Sequence, residues 1–307
     1  MNCKMIKSVI GGIAIMATMA TVAGGEIRYG KVEAEDCKVF YREAGDKSKP
    51  AILLLHGFPA ASHMFRELMP ELADDFYLVA PDMPSFGQTV YPDNFPHTFD
   101  ALARTVEAFT DALGMKRYAL YLFDYGAPIG FRLAMWHPER ITAIVSQNGN
   151  MYDEGLGPKW AARKEYWKNP SPEGRAKFAS AYALDTIIGQ YTFGTPPGSV
   201  GPDGYTLDFA YVNLPGRAAF QDDLIFDYQS NVALYPKFQQ YLRDRKPPLL
   251  AVWGKNDPSF IPPGAEAFKR DLPDAEVHFV DSGHFALESH HAEIAALRRE
   301  FLKRTAK

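Results

Sequence analysis

Six short, unbroken apolar runs constrain this chain more than any other feature. They are Ala51-Ile-Leu-Leu-Leu-His56, Phe76-Tyr-Leu-Val-Ala80, Tyr118-Ala-Leu-Tyr-Leu-Phe123, Ile141-Thr-Ala-Ile-Val-Ser146, Pro248-Leu-Leu-Ala-Val-Trp253 and Val277-His-Phe-Val280. None alternates apolar with polar residues. A run of this kind suits a strand covered on both faces, and such strands belong to parallel sheets. Two further strands are expected earlier, over Glu26–Val32 and Lys38–Arg42. Helical patterns separate the runs. Leu102, Val106, Phe109 and Leu113 share one face of a helix starting near Thr98, and Gly114 stands where a C-cap glycine belongs. Ile129, Leu133 and Trp136 mark a second helix, stopped by Pro138. A last helix runs from about Ala286 to Leu302 with Ile294, Leu297 and Phe301 inward. This alternation predicts an α/β fold, a mostly parallel central sheet with helices on both faces.

Residues 150–245 break the rhythm. They hold no buried-strand run, two Pro/Gly-rich stretches, nine of the sixteen tyrosines and two of the four tryptophans. Most of these aromatics are expected to be packing residues. Inserted between two sheet strands, the segment is predicted to be a helical cap over the strand C-termini, where ligands bind on such sheets. The core is then assigned to 26–149 and 246–307. Residues 1–25 follow a secretory pattern: Lys4 and Lys7, an apolar stretch from Ser8 to about Val22, then Ala20, Ala23, Gly24 and Gly25. Cleavage near Ala23 is expected, giving a periplasmic or secreted protein. Cys3 leaves with that segment and Cys37 stays alone. No later segment is apolar enough to span a bilayer. The net charge of −4 gives no reason to expect a nucleic-acid partner. The partner expected is a small-molecule substrate, and the sequence leaves the oligomeric state open.

Short motifs carry the chemistry. Leu122-Phe-Asp-Tyr-Gly126-Ala-Pro-Ile-Gly130 lies where a strand passes into a helix. A sharp turn there exposes one side chain, which is Asp124, not a serine. The helix N-terminus is expected to keep that carboxylate charged. His56-Gly57-Phe58-Pro59 follows an earlier strand. The backbone N–H groups of Phe58 and Tyr125 are the expected oxyanion-hole donors. Gly254-Lys-Asn-Asp257 and Ser282-Gly-His284 follow the last strands. The chain order is therefore nucleophile, acid, histidine. Each residue alone has a plainer reading: an Asp after a strand is usually a helix cap, and a lone His is usually on the surface. His56 is expected to be structural, His290 and His291 solvated, and His63, His97, His137 and His278 have no companion that suggests a role.

Together with Ala80-Pro-Asp-Met-Pro-Ser-Phe-Gly87, these motifs resemble the aspartate-nucleophile branch of the α/β-hydrolases: soluble epoxide hydrolases, haloalkane dehalogenases and haloacetate dehalogenases. The resemblance covers essentially the whole chain after residue 25. It implies an α/β-hydrolase fold and a triad of Asp124, His284 and Asp257. Asp124 would form an alkyl ester by displacement at carbon, and His284, held by Asp257, would activate water against it. No metal or organic cofactor is needed. The chain departs from the pattern at several positions. Leu122 stands where a small residue is usual and Phe123 where His is usual. Tyr125 and Phe58 replace the Trp and Asn that commonly hold a halide, and the Arg that follows the nucleophile in haloacetate dehalogenases is absent. The segment Phe226-Asp-Tyr-Gln-Ser-Asn231 resembles the stretch that carries an epoxide-protonating tyrosine, which points to Tyr228, with Tyr191 as a looser second match. Epoxide hydrolysis to a diol is therefore the expected reaction. Dehalogenation of a haloalkane or haloacid, with Trp160 or Trp167 holding the halide from the cap, is the alternative. A hydrolase-fold binding protein without turnover stands further off.

Overall fold

Strands covered on both faces do form the centre of the protein. The computed structural model describes residues 25–306, so residues 1–24, with most of the expected secretory segment and Cys3, lie outside the described residues. Among the described residues eight strands form one sheet: β1 Arg28–Ala34, β2 Cys37–Ala44, β3 Ala51–Leu55, β4 Tyr77–Pro81, β5 Tyr118–Phe123, β6 Ile141–Gln147, β7 Leu249–Gly254 and β8 Glu276–Val280. Their order is β1-β2-β4-β3-β5-β6-β7-β8. The β1–β2 and β2–β4 pairs are antiparallel and every other pair is parallel. All residues of β4, β5 and β7 are buried, as the unbroken apolar runs require, whereas β8, at the sheet edge and interrupted by His278, is covered only in part.

β1 lies two residues later than Glu26–Val32. Ala34 pairs with Cys37 across Glu35-Asp36, and Glu35 takes a left-handed φ of 50°. The two-residue turn sets the register, and this outweighs the weak apolar signal of an edge strand.

Alternate side chains of the central strands feed separate cores. Leu53 and Leu55 pack with Phe99, Val106 and Ile129 on one face. Ile52 and Leu54 pack with Leu68, Ile294 and Phe301 on the other. The helices Phe99–Ala112 and Gly126–Trp136 supply the first face, and the helix Ala286–Thr305 the second. Thr98 caps the Phe99–Ala112 helix by accepting from the Ala101 N–H.

Between β6 and β7 the chain forms helices, among them Trp160–Lys168, Leu184–Thr192, Asp203–Val212 and the long Arg217–Arg245. This cap is anchored on both cores. Tyr228, Tyr235 and Phe238 join the first, and Ile187 and Tyr191 the second. The loops after β3, β5, β6, β7 and β8 carry Phe58, Asp124, Asn148, Asp257 and His284 respectively.

Candidate active site

The β5 strand ends at Phe123 and the next helix begins at Gly126, leaving two residues for the reversal. Asp124 takes a φ of 47°, a left-handed conformation that Asp tolerates better than most non-glycine residues. The turn is tight enough to demand glycine around it. A Cβ on Gly126 would lie 2.3 Å from the Leu55 carbonyl oxygen, and one on Gly57 would lie 2.2 Å from Asp124 Oδ1. The bulk of Leu122 is accommodated by Gly130, where a Cβ would meet the Leu122 side chain at 2.2 Å.

The Asp124 carboxylate has two differently occupied oxygens. Oδ1 accepts from the Phe58 N–H at 2.7 Å, and the Tyr125 N–H is near enough to favour the charged carboxylate. Oδ2 faces His284 Nε2 at 3.6 Å. Burial raises the Asp124 carboxyl above the ordinary carboxylate range, against the opposing pull of His284 and of the two N–H donors. The helix terminus is expected to keep this carboxylate charged, and desolvation by burial is the larger effect acting against that.

His284 is buried, with Nδ1 at 2.7 Å from Asp257 Oδ2. Burial pushes its imidazolium down, but Asp257, by charge and hydrogen bond, and then Asp124 outweigh this and hold it above the ordinary histidine value. Asp257 is fixed at both oxygens. Oδ1 accepts from the N–H groups of Ser259 at 2.7 Å and Phe260 at 3.1 Å, and Oδ2 accepts from Asn148 Nδ2 at 2.8 Å. Asn148 in turn accepts from the Gly254 N–H at 3.1 Å. Asn148 is not among the site residues read from the sequence. Its φ of 47° at the end of β6 aims the amide at Asp257. Phe123, in place of the usual His, packs its ring 4.7 Å from that of His284. His56 is fully buried and its Nε2 accepts from the Met83 N–H at 3.1 Å; burial pushes its pKa down to about 4, so it stays neutral as a structural acceptor.

A cavity of about 240 Å³ opens onto Asp124 and His284 and is lined by Phe58, Tyr125 and Trp160 among others. That is below the usual 300–1,000 Å³ of drug-sized pockets and suits a small substrate. The cap residues singled out from sequence divide here. Tyr191 turns away: its hydroxyl donates to Asp208 Oδ2 at 2.5 Å, and its ring stacks on Phe285. Tyr228 packs 4.4 Å from Trp160 and 5.8 Å from Tyr125, ring to ring, against two residues that line the cavity. Its hydroxyl lies 3.4 Å from that of Tyr235, two helical turns further along the same helix face. The charge of Asp124 acts on both hydroxyls, and burial raises Tyr228 well above the ordinary tyrosine value. Tyr235 was not singled out from sequence, although its seven-residue spacing from Tyr228 is a usable signal.

The tryptophans depart from expectation. The Trp160 indole N–H donates to the Ser259 carbonyl at 3.0 Å and that of Trp167 to Ile225 at 2.8 Å, so neither is free for a halide. Three of the histidines for which the sequence offered no companion that suggests a role pair with carboxylates: His63 with Asp208 at 3.0 Å, His97 with Asp223 at 2.7 Å, and His137 with Glu107. His291 pairs with Glu71 at 2.7 Å, and is not merely solvated. These contacts join segments distant in sequence, which local spacing does not reveal. Among the described residues no three His, Cys, Asp or Glu side chains converge as metal ligands.

Comparison with known proteins supplies context for this geometry. The sequence profile of the family described as alpha/beta hydrolase fold matches residues 50–187 and 203–291. An uncharacterized hydrolase of Saccharomyces cerevisiae, YNR064C, is 48% identical over 274 residues, covering 87% of this chain and 94% of the yeast protein. Haloalkane dehalogenase 2 of Mycobacterium tuberculosis is 35% identical over 111 residues, 36% of this chain and 38% of that protein. Among solved structures, the epoxide hydrolase CorEH superposes with a TM-score of 0.74 at 17% identity, covering 91% of this chain and 99% of that one.

Proposed function

We propose that this chain, which belongs to the α/β-hydrolase fold family, hydrolyses small epoxides to diols through an ester on Asp124. One observation carries the reading. A carboxylate, not a hydroxyl, stands on the strained turn, with Oδ1 held by backbone N–H and Oδ2 left toward the cavity and His284. A carboxylate in that place attacks carbon by displacement.

In the first half-reaction Asp124 Oδ2 bonds to an epoxide carbon. The ring C–O bond breaks, and its electron pair stays on the oxygen. That oxygen takes the phenolic proton of Tyr228, with Tyr235 hydrogen-bonded behind it. In the second, His284 Nε2 takes a proton from water, whose oxygen adds to the Asp124 carboxyl carbon. Phe58 and Tyr125 N–H groups stabilise the charge that grows on Oδ1. Collapse breaks the acyl C–O bond and the diol leaves with the proton from His284. The carboxyl proton left on Asp124 returns to Tyr228. One oxygen of Asp124 then comes from water. Asp257 holds the His284 tautomer with Nδ1 protonated, leaving Nε2 to accept.

Dehalogenation is the second reading, favoured by the partial match to haloalkane dehalogenase 2. It is weakened because the indoles of Trp160 and Trp167 spend their N–H groups on backbone carbonyls. The secretory pattern of residues 1–25 supports action outside the cytoplasm. Intact-mass analysis of the His284→Gln enzyme tests the chemistry. The ester should accumulate, adding the full mass of an epoxide, and should be absent from Asp124→Ala. A haloalkane would instead add its mass less that of the hydrogen halide. Normal turnover by His284→Gln with no adduct would refute the division of labour, and no adduct from either substrate class would favour a binding protein.

A further inference from the structure

The cavity carries a charge pattern that the reaction alone does not explain. Lys159, Arg163 and Lys177 line it together, and Asp124 is the one carboxylate among its lining residues. The whole chain has a net charge of −4, so this local excess of cations runs against the composition. Some other cap cations are paired, Lys164 with Asp153 and Arg175 with Asp222 and Asp223; others, such as Lys168 and Lys237, are exposed and, among the described residues, unpaired but lie outside the cavity. Among the described residues Lys159, Arg163 and Lys177 have no such carboxylate partner.

Arg163 is the best placed of the three. It is half-buried, and its guanidinium sits 4.7 Å over the Trp160 ring and 5.9 Å from that of Phe178. Stacking on a ring fixes the plane of the guanidinium while leaving its edge N–H groups for an acceptor. Its one hydrogen bond is a long one, from Nη1 to the Lys159 carbonyl at 3.4 Å. Lys159 and Lys177 are exposed on the same rim, and Lys159 is near enough to bear on the His284 proton. A substrate at Asp124 shares its cavity with these cations. An anionic one would be repelled by the Asp124 carboxylate in a cavity of low dielectric, and the rim cations offset that repulsion.

From this we infer that the preferred substrate is a small epoxide bearing a carboxylate, or an oxyanion of like charge, a few bonds from the ring, with its anionic end held at Arg163 and flanked by Lys159 and Lys177. The inference rests on the Asp124 reading and specifies its substrate class.

Phenylglycidate and its uncharged amide, phenylglycidamide, are the test pair, assayed with the full-length enzyme. The acid should exceed the amide in kcat/KM by about tenfold or more, the scale of one charge-assisted hydrogen bond, and the advantage should shrink as salt rises. Arg163→Gln should cost the acid about tenfold more than the amide, and Arg163→Lys should restore part of the loss. Equal losses on both substrates, or an amide preference in the unmutated enzyme, would overturn the inference. If His284→Gln traps no ester from either compound, the Asp124 reading fails instead. Equilibrium binding of the stable analogues phenyllactate and phenyllactamide then still decides the charge question. Tighter binding of the acid that is lost in Arg163→Gln supports the anion site, and equal binding removes it.

Discussion

Replacing Asp257 by Asn alters one atom, and the hydrogen bonds around it dictate the consequence. Oδ1 of Asp257 must go on accepting from the N–H groups of Ser259 and Phe260. The new amide nitrogen is therefore forced into the place of Oδ2. There it faces two groups that now suit it badly. The Asn148 Nδ2 donor, 2.8 Å from Oδ2, loses its acceptor. It cannot simply flip, because its own oxygen accepts from the Gly254 N–H. His284 Nδ1, at 2.7 Å, must become an acceptor, which moves the ring proton to Nε2. A protonated Nε2 cannot take a proton from water, so ester hydrolysis should fall by about 10⁴-fold. Displacement by Asp124 does not use that nitrogen and should change by less than about tenfold. Two buried donors facing each other should also cost about 1–3 kcal/mol of stability, a fall in Tm of about 2–4 °C per kcal/mol for a chain of this size. The assay is rapid quench with intact-mass detection, which follows the ester directly, alongside a thermal melt. Ester should build up at near the unmutated rate and persist. Asp281→Asn is the control, since Asp281 is exposed and its partners are Lys255 and Asn256. Asp257→Asn turnover within tenfold of the unmutated enzyme would refute the tautomer argument, as would equal losses in both half-reactions.

The cap tyrosines and the pH profile give further tests. Tyr228→Phe should slow ester formation by about 10²–10⁴-fold, the range of a general acid, whereas Tyr191→Phe, whose hydroxyl is spent on Asp208, should affect stability and leave single-turnover ester formation nearly unchanged; the reverse order would exchange their roles. Ester formation needs ionised Asp124, and burial raises that carboxyl, so the rate should fall off, as pH drops, at higher pH than an ordinary carboxylate would give. Ester hydrolysis needs neutral His284, which is held above the ordinary histidine value, and so is lost as pH falls through that raised pKa. Esterification removes the Asp124 charge that helps raise it, so the hydrolysis limb should lie below the His284 titration seen by NMR in the free enzyme; a limb at or above that value would contradict the electrostatic account.

Sequence by itself determined the central strands buried on both faces, the tight turn at Asp124 and the chain order of Asp124, Asp257 and His284. Those features are local. An unbroken apolar run such as Tyr118–Phe123 has few places to go but the middle of a sheet. Glycines such as Gly57 and Gly126 mark backbone approaches that no other residue permits. Tertiary structure decided everything that depends on which faces meet. The register of β1 followed the Glu35-Asp36 turn, not its weak apolar pattern. Asn148 became a partner of Asp257 only because β6 and β7 end side by side. Tyr191 faced Asp208 while Tyr228 packed on Trp160 and Tyr125, a choice set by how each cap helix rotates against the core. The rim of Lys159, Arg163 and Lys177 was likewise invisible in the chain, since in sequence it is three charges among many. A charge acquires meaning from the groups that surround it and from the dielectric they create, and both are properties of the packed molecule.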